Sequence, residues 1–141
     1  MATRSNVIVL TKDGKAHQFY HHWDGYLSGV GEELRHHIIY SVGMGVITYA
    51  PADEVLVSEL NSTDGYEDEY THDLTDHNRL HADIEFLYIV KGYDLYYVNE
   101  WDLCNKYNSY KDLVDYVCVD KNKLDLSHTI KDDDNNDNDN D

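Results

Sequence analysis

The stretch from Ile84 to Asn99 limits the possible folds of this chain more than any other. Ile84, Phe86, Tyr88 and Val90 alternate with Glu85, Leu87, Ile89 and Lys91, a two-residue period whose faces are both largely apolar. Gly92-Tyr93-Asp94 turns the chain, and Leu95-Tyr96-Tyr97-Val98-Asn99 returns. This is the strongest hairpin signal in the sequence.

A second hairpin is expected near the amino terminus. Asn6 to Leu10 is β-branched and apolar, Asp13-Gly14 tolerates the positive φ of a primed turn, and Ala16 to His22 forms the return strand. Trp23-Asp24-Gly25-Tyr26 ends it. From Ser28 to about Ser41 the period becomes helical: Val30, Leu34 and Ile38 share a face, with Glu32 and Glu33 early and Arg35, His36 and His37 late. Val46 to Tyr49 reads as a short strand. Pro51 suits the first turn of a second helix with the stripe Ala52, Leu56 and Leu60, a strand through Glu54–Val57 being the alternative. Asn61 to Asp83 reads as an acidic loop with at most one helical turn. Ser109 and Asp112 approximate a capping box for a last helix carrying Leu113, Val114, Tyr116 and Val117.

The expected class is therefore α+β: a mainly antiparallel sheet of two hairpins with two to three helices packed on one face. Residues 1–124 form the single expected domain, and residues 125–141 a disordered acidic tail whose Lys131 to Asp141 run is low-complexity.

Composition narrows the partners. Twenty-eight Asp and Glu stand against 11 Lys and Arg, a net charge of -17, so the chain repels nucleic acid and anionic membranes and attracts basic protein surfaces. No apolar run approaches the roughly 18 residues of a membrane span, and Met1 to Ser5 lacks the apolar core of a secretory signal. The expected location is a cytoplasm. Cys104 and Cys118 are too few for a disulfide framework or a cysteine-based zinc site. No Ser or Cys sits in a recognisable triad pattern.

Between residues 52 and 102 the many acids face only Arg79 and Lys91. Carboxylates presented in rows resemble a phosphate backbone and compete for grooves that hold nucleic acid through Lys and Arg. Interleaved tyrosines add contact area at low entropy cost. On this reading the contact residues are Tyr66, Glu67, Asp68, Glu69, Tyr70, Asp73 and Asp76, and the partner is a basic nucleic-acid-binding host protein, with no cofactor. Two alternatives stand beside it. One is a small metal-dependent enzyme using His72, His77 and His81 as nitrogen ligands with nearby carboxylates. The other is a structural or accessory protein whose acidity serves solubility alone.

The strings Thr3-Arg4-Ser5-Asn6 and His22-Trp23-Asp24-Gly25-Tyr26, followed by Gly29, Gly31 and Leu34, resemble small bacteriophage and prophage proteins. Leu87 to Val98 is similar to the aromatic hairpin of the same proteins. The resemblance implies a phage-encoded chain acting in a host cytoplasm. An inhibitor of a host defence nuclease, of the CRISPR or restriction kind, fits both the resemblance and the acidity. Trp23 and Tyr26 are expected to pack between the first hairpin and the first helix, with Asp24-Gly25 as the turn.

Overall fold

The computed structural model describes residues 2–43, 51–99 and 103–132. Among these residues five strands form one sheet: β1 (Ser5–Thr11), β2 (Lys15–His21), β3 (Tyr66–Asp73), β4 (Phe86–Lys91) and β5 (Asp94–Val98), in the order β3-β2-β1-β4-β5. All neighbours are antiparallel except β1 and β4, which run parallel at the centre from Ser5 beside Phe86 to Val9 beside Val90. Both expected hairpins are present, and the class is α+β with a mainly antiparallel sheet. Gly14, at φ +80°, makes the first turn and donates its N–H to the Thr11 carbonyl at 3.0 Å.

Among the described residues, four α-helices cover the sheet. α1 (Glu32–His36) is flanked by π-helical turns at Leu27–Gly31 and His37–Val42, so winding runs without a break where the period predicts a helix. α2 (Ala52–Asn61) follows Pro51 as expected, and α3 (Leu103–Lys106) is a single turn that the sequence did not signal. α4 (Tyr110–Val117) begins at Ser109, whose Oγ accepts the Asp112 N–H at 3.1 Å. The predicted strand at 46–49 lies outside the described residues.

The helices do not share one face. Val7, Val9, Phe19, Tyr88, Val90 and Tyr97 pack under Leu34, Ile38, Leu56 and Leu60 of the α1 and α2 layer. Ile8, Ala16, Tyr20, Leu87, Ile89 and Val98 pack under Leu103, Tyr110, Leu113 and Val117 of α3 and α4. The reason lies in the central strands: β1 and β4 are apolar on both faces, and one helical layer covers only one of them.

The Trp23–Tyr26 corner is held by main chain, not by its rings. Gly25 donates to the Thr3 carbonyl at 2.9 Å, and its own carbonyl accepts the hydroxyl of fully buried Tyr88 at 2.7 Å. A Cβ at residue 25 would lie 2.8 Å from the Thr3 oxygen, so only glycine fits. Trp23 is consequently left 57% exposed, and Tyr26 points outward to Asp24 at 2.9 Å, contrary to the interior packing expected of both. Arg4 pairs with Asp83 at 3.3 Å.

The packed body also extends past the expected boundary at residue 124. Ile130 is 1% exposed in the α1-side core, with Leu126 against the same cluster. Glu32 and Arg35 grip this segment: the Ile130 N–H donates to Glu32 at 2.7 Å and Arg35 donates to the Leu126 carbonyl at 3.1 Å. Asp132 accepts from the backbone and hydroxyl of Ser28 at 2.9 and 3.0 Å. Residues 133–141 lie outside the described residues. Ile130→Ala is expected to cost about 2–5 kcal/mol in urea denaturation, whereas His128→Ala, at an exposed position, should stay within about 0.5 kcal/mol.

Candidate functional site

β3 is a strand without strand periodicity. Its sequence, YEDEYTHD, falls within the expected acidic loop, and it is extended because it pairs with β2 from His21 beside Tyr66 to Lys15 beside Asp73. Pairing supplies what local preference lacks, and charged residues are common on edge strands because they discourage intermolecular pairing. The register slips between His17 and Phe19, so that Glu69 and Tyr70 together oppose Gln18. Tyr70 takes up the extra residue at φ +71°, a left-handed conformation that a bulky side chain rarely adopts.

The bulge closes the outer edge with local side chains. Asp68 Oδ1 accepts the Tyr70 N–H at 2.8 Å, His72 Nε2 bonds the Glu69 carbonyl at 2.8 Å, and Asp76 accepts the Asp73 N–H at 3.1 Å. With these groups engaged, the edge is a poor template for an added strand.

The bulge also sorts the acids between the two faces. Glu69 turns toward the α4 side, where one carboxylate oxygen accepts from Gln18 at 2.6 Å and from Asn6 at 3.1 Å. Asn6 and Gln18 are fully buried, and Gln18 accepts the Tyr110 hydroxyl at 2.7 Å. Burial pushes the Tyr110 phenol up to about 12. On the other face His17 lies between two β3 side chains, its Nε2 2.7 Å from Asp68 Oδ1 and its Nδ1 2.6 Å from Thr71 Oγ1. His17 and Thr71 line an open cleft of about 660 Å³ with Lys12, Asp53, Glu54 and Asn61 among its walls.

The seven residues singled out in the sequence therefore do not act as one group. Tyr66 is withdrawn from the surface. It packs edge-on against Phe19 and donates its hydroxyl to Glu33 at 2.7 Å. Burial first, and that bond second, hold its phenol well above the usual tyrosine range. Asp68 and Glu69 are committed to internal hydrogen bonds. Glu67, Tyr70, Asp73 and Asp76 remain at the surface, Asp73 with Lys15 at 3.4 Å.

The histidines proposed as ligands diverge. His72 stacks on Tyr110 at 5.2 Å, His81 stacks on Tyr20 at 3.9 Å, and His77 bonds the Asn78 carbonyl at 3.3 Å. Among the described residues no group of three or more His, Cys, Asp or Glu is placed to hold a metal ion. Sequence inspection missed the His17 cluster because its members lie 51 and 54 residues apart and meet only through the β2–β3 register. No family model, curated protein or solved structure matches the chain.

Two measurements test this arrangement. Glu69→Ala removes an acceptor from two buried amides and should cost about 1–3 kcal/mol in urea denaturation, while exposed Glu67→Ala should cost no more than about 0.5 kcal/mol. Alkaline titration tests the phenols. Tyr66 and Tyr110 keep their protons in the folded chain at pH values where the unfolded chain releases them. Their contribution to stability is complete below about pH 10 and is lost as pH rises through the folded values. Urea midpoints should fall progressively above pH 10, and phenolate absorbance from these two rings should appear with unfolding.

Proposed function

We propose that this chain is a phage-encoded interaction protein, an inhibitor whose acidic, tyrosine-bearing surface occupies the basic nucleic-acid groove of a host defence nuclease of the CRISPR or restriction kind. The observation that carries this reading is Tyr70. The bulge holds a bulky side chain in the left-handed region and leaves it 72% exposed. Such strain costs on the order of 1–3 kcal/mol, and it places an aromatic ring in solvent. Glu67, Asp73 and Asp76, also exposed, lie on the same strand and the turn after it.

Because the outer edge of β3 is closed, recognition works through side chains and not through strand addition. Carboxylates speed encounter with a basic groove, and a buried tyrosine anchor slows release. The net charge of -17 gives the attraction its range, and salt weakens it. The activity needs no cofactor and takes place in the host cytoplasm.

The test is competition with DNA for purified RNA-guided nucleases and restriction endonucleases, at about 50 and about 200 mM salt, a range in which phosphate-groove electrostatics change strongly. The protein should displace DNA from at least one enzyme. Charge reversal at the exposed positions (Glu67→Lys, Asp73→Lys and Asp76→Lys together) should abolish displacement. Tyr70→Ala should speed dissociation by about 30-fold, the size of an interface hot spot. Failure to displace DNA from any of the enzymes, or undiminished displacement by the folded triple variant, overturns the proposal.

A further inference from the structure

We propose that Thr71, His17 and Asp68 form a hydrolytic site for small carboxylic esters, opening into the cleft between the β1–β2 turn, α2 and β3. The site shares the β3 bulge with the proposed partner-binding surface, since Asp68 also accepts the Tyr70 N–H, but its chemistry is read out by hydrolysis and not by binding a basic partner.

The protonation pattern follows from the geometry. An ionised carboxylate only accepts hydrogen bonds, so the 2.7 Å contact with Asp68 fixes the ring proton of neutral His17 on Nε2. The lone pair on Nδ1 then faces Thr71 Oγ1 at 2.6 Å, and the hydroxyl donates to it. Nucleophile, base and orienting carboxylate thus stand in hydrogen-bond sequence, as covalent acyl transfer requires. His17 is fixed in place: its side chain is 12% exposed and packs against the Phe19 ring at 4.9 Å. Thr71 is exposed at the cleft wall. The bulge creates the arrangement, because the register slip brings both Asp68 and Thr71 to the same histidine.

The cleft walls supply the remaining parts. The Lys12 ammonium and the Asn61 amide line the cleft as N–H donors for an oxyanion, the Lys12 main-chain N–H being taken by Asp53, and Asp13, Asp53 and Glu54 favour a substrate with a cationic end. In the first step Thr71 Oγ bonds to the ester carbonyl carbon and its proton passes to His17 Nδ1. The ester C–O bond, or the C–S bond of a thioester, breaks, and the departing alkoxide or thiolate takes that proton and leaves as the alcohol or thiol. Water then attacks the acyl-threonine, giving a proton to His17. The carboxylic acid departs as Thr71 recovers the proton. Thr71 and His17 are the catalytic residues, and Asp68 is a positioning residue acting through His17.

The full chain is tested with acetylthiocholine, its neutral isostere 3,3-dimethylbutyl thioacetate, and a fluorophosphonate probe read by peptide mass. Wild type should hydrolyse acetylthiocholine faster than the isostere, and the probe should label Thr71. Thr71→Ala should abolish turnover and label, and Thr71→Ser should retain both. Asp68→Asn should lower kcat about 10²- to 10⁴-fold with KM unchanged, a split that a merely structural role does not produce. Circular dichroism of each variant establishes that it is folded. No turnover and no label in wild type, or turnover that survives in Thr71→Ala, overturns the proposal. Equal rates on the two thioesters overturn the cationic preference.

Discussion

Everything in this fold depends on the parallel contact between β1 and β4. These two strands are remote in sequence, and both are buried on both faces, so the sheet needs a helical layer on each side. Tyr88 shows how that constraint propagates. It lies in the centre of β4, reaches through the α1-side core and donates its hydroxyl to the Gly25 carbonyl. One phenol thereby fixes the corner from which the first helix departs. Burial holds that phenol well above the ordinary tyrosine range, so it stays a neutral donor.

The edge farthest from β5 follows different physics. β3 has few apolar side chains to bury, and what secures it is a polar seam with β2 and β1: Asn6 of β1 and Gln18 of β2 beneath Glu69 on one face, His17 between Asp68 and Thr71 on the other. Buried amides are expensive without partners, and a charged acceptor satisfies them more strongly than a neutral one. The bulge is what lets consecutive acids serve opposite faces. The same irregularity leaves Tyr70 as the residue with nowhere to go but outward.

Much of this fold is legible in the sequence, and the failures have physical causes. The hairpins, the 28–41 helix and the Ser109 start are written in periodicity and turn chemistry, which are local. β3 is not, because YEDEYTHD has neither an apolar alternation nor a turn-bounded run, and its extended state is imposed by a neighbour about 50 residues away. The second helical layer could have been inferred from the two apolar faces of Ile84 to Val90, the feature that pointed most strongly to a sheet. The chain beyond Leu124 looks like a tail by composition, yet Leu126 and Ile130 are apolar residues four apart, and both find the α1-side core. Charge density along residues 66–76 does not distinguish a carboxylate facing water, such as Glu67, from one satisfying a buried amide, such as Glu69.

That distinction changes how the acidity should be understood. A net charge of -17 on a chain of this size works against compactness through self-repulsion. Part of it is offset internally. Glu69 binds the core amides, Glu32 holds Arg35 at 3.0 Å as well as the Ile130 backbone, and Glu33 accepts from Tyr66. Each of these acids gains a directed hydrogen bond that offsets part of its cost, although Glu33 stays exposed while accepting one. The acids with no such internal bond are fewer than composition suggests, and a fixed scaffold of hydrogen-bonded acids holds the strand that carries exposed Glu67 and Asp73. A rigid row of a few carboxylates loses less entropy on binding than a larger number on a loop. Converting half of an acidic segment into structure is thus how the other half could become specific.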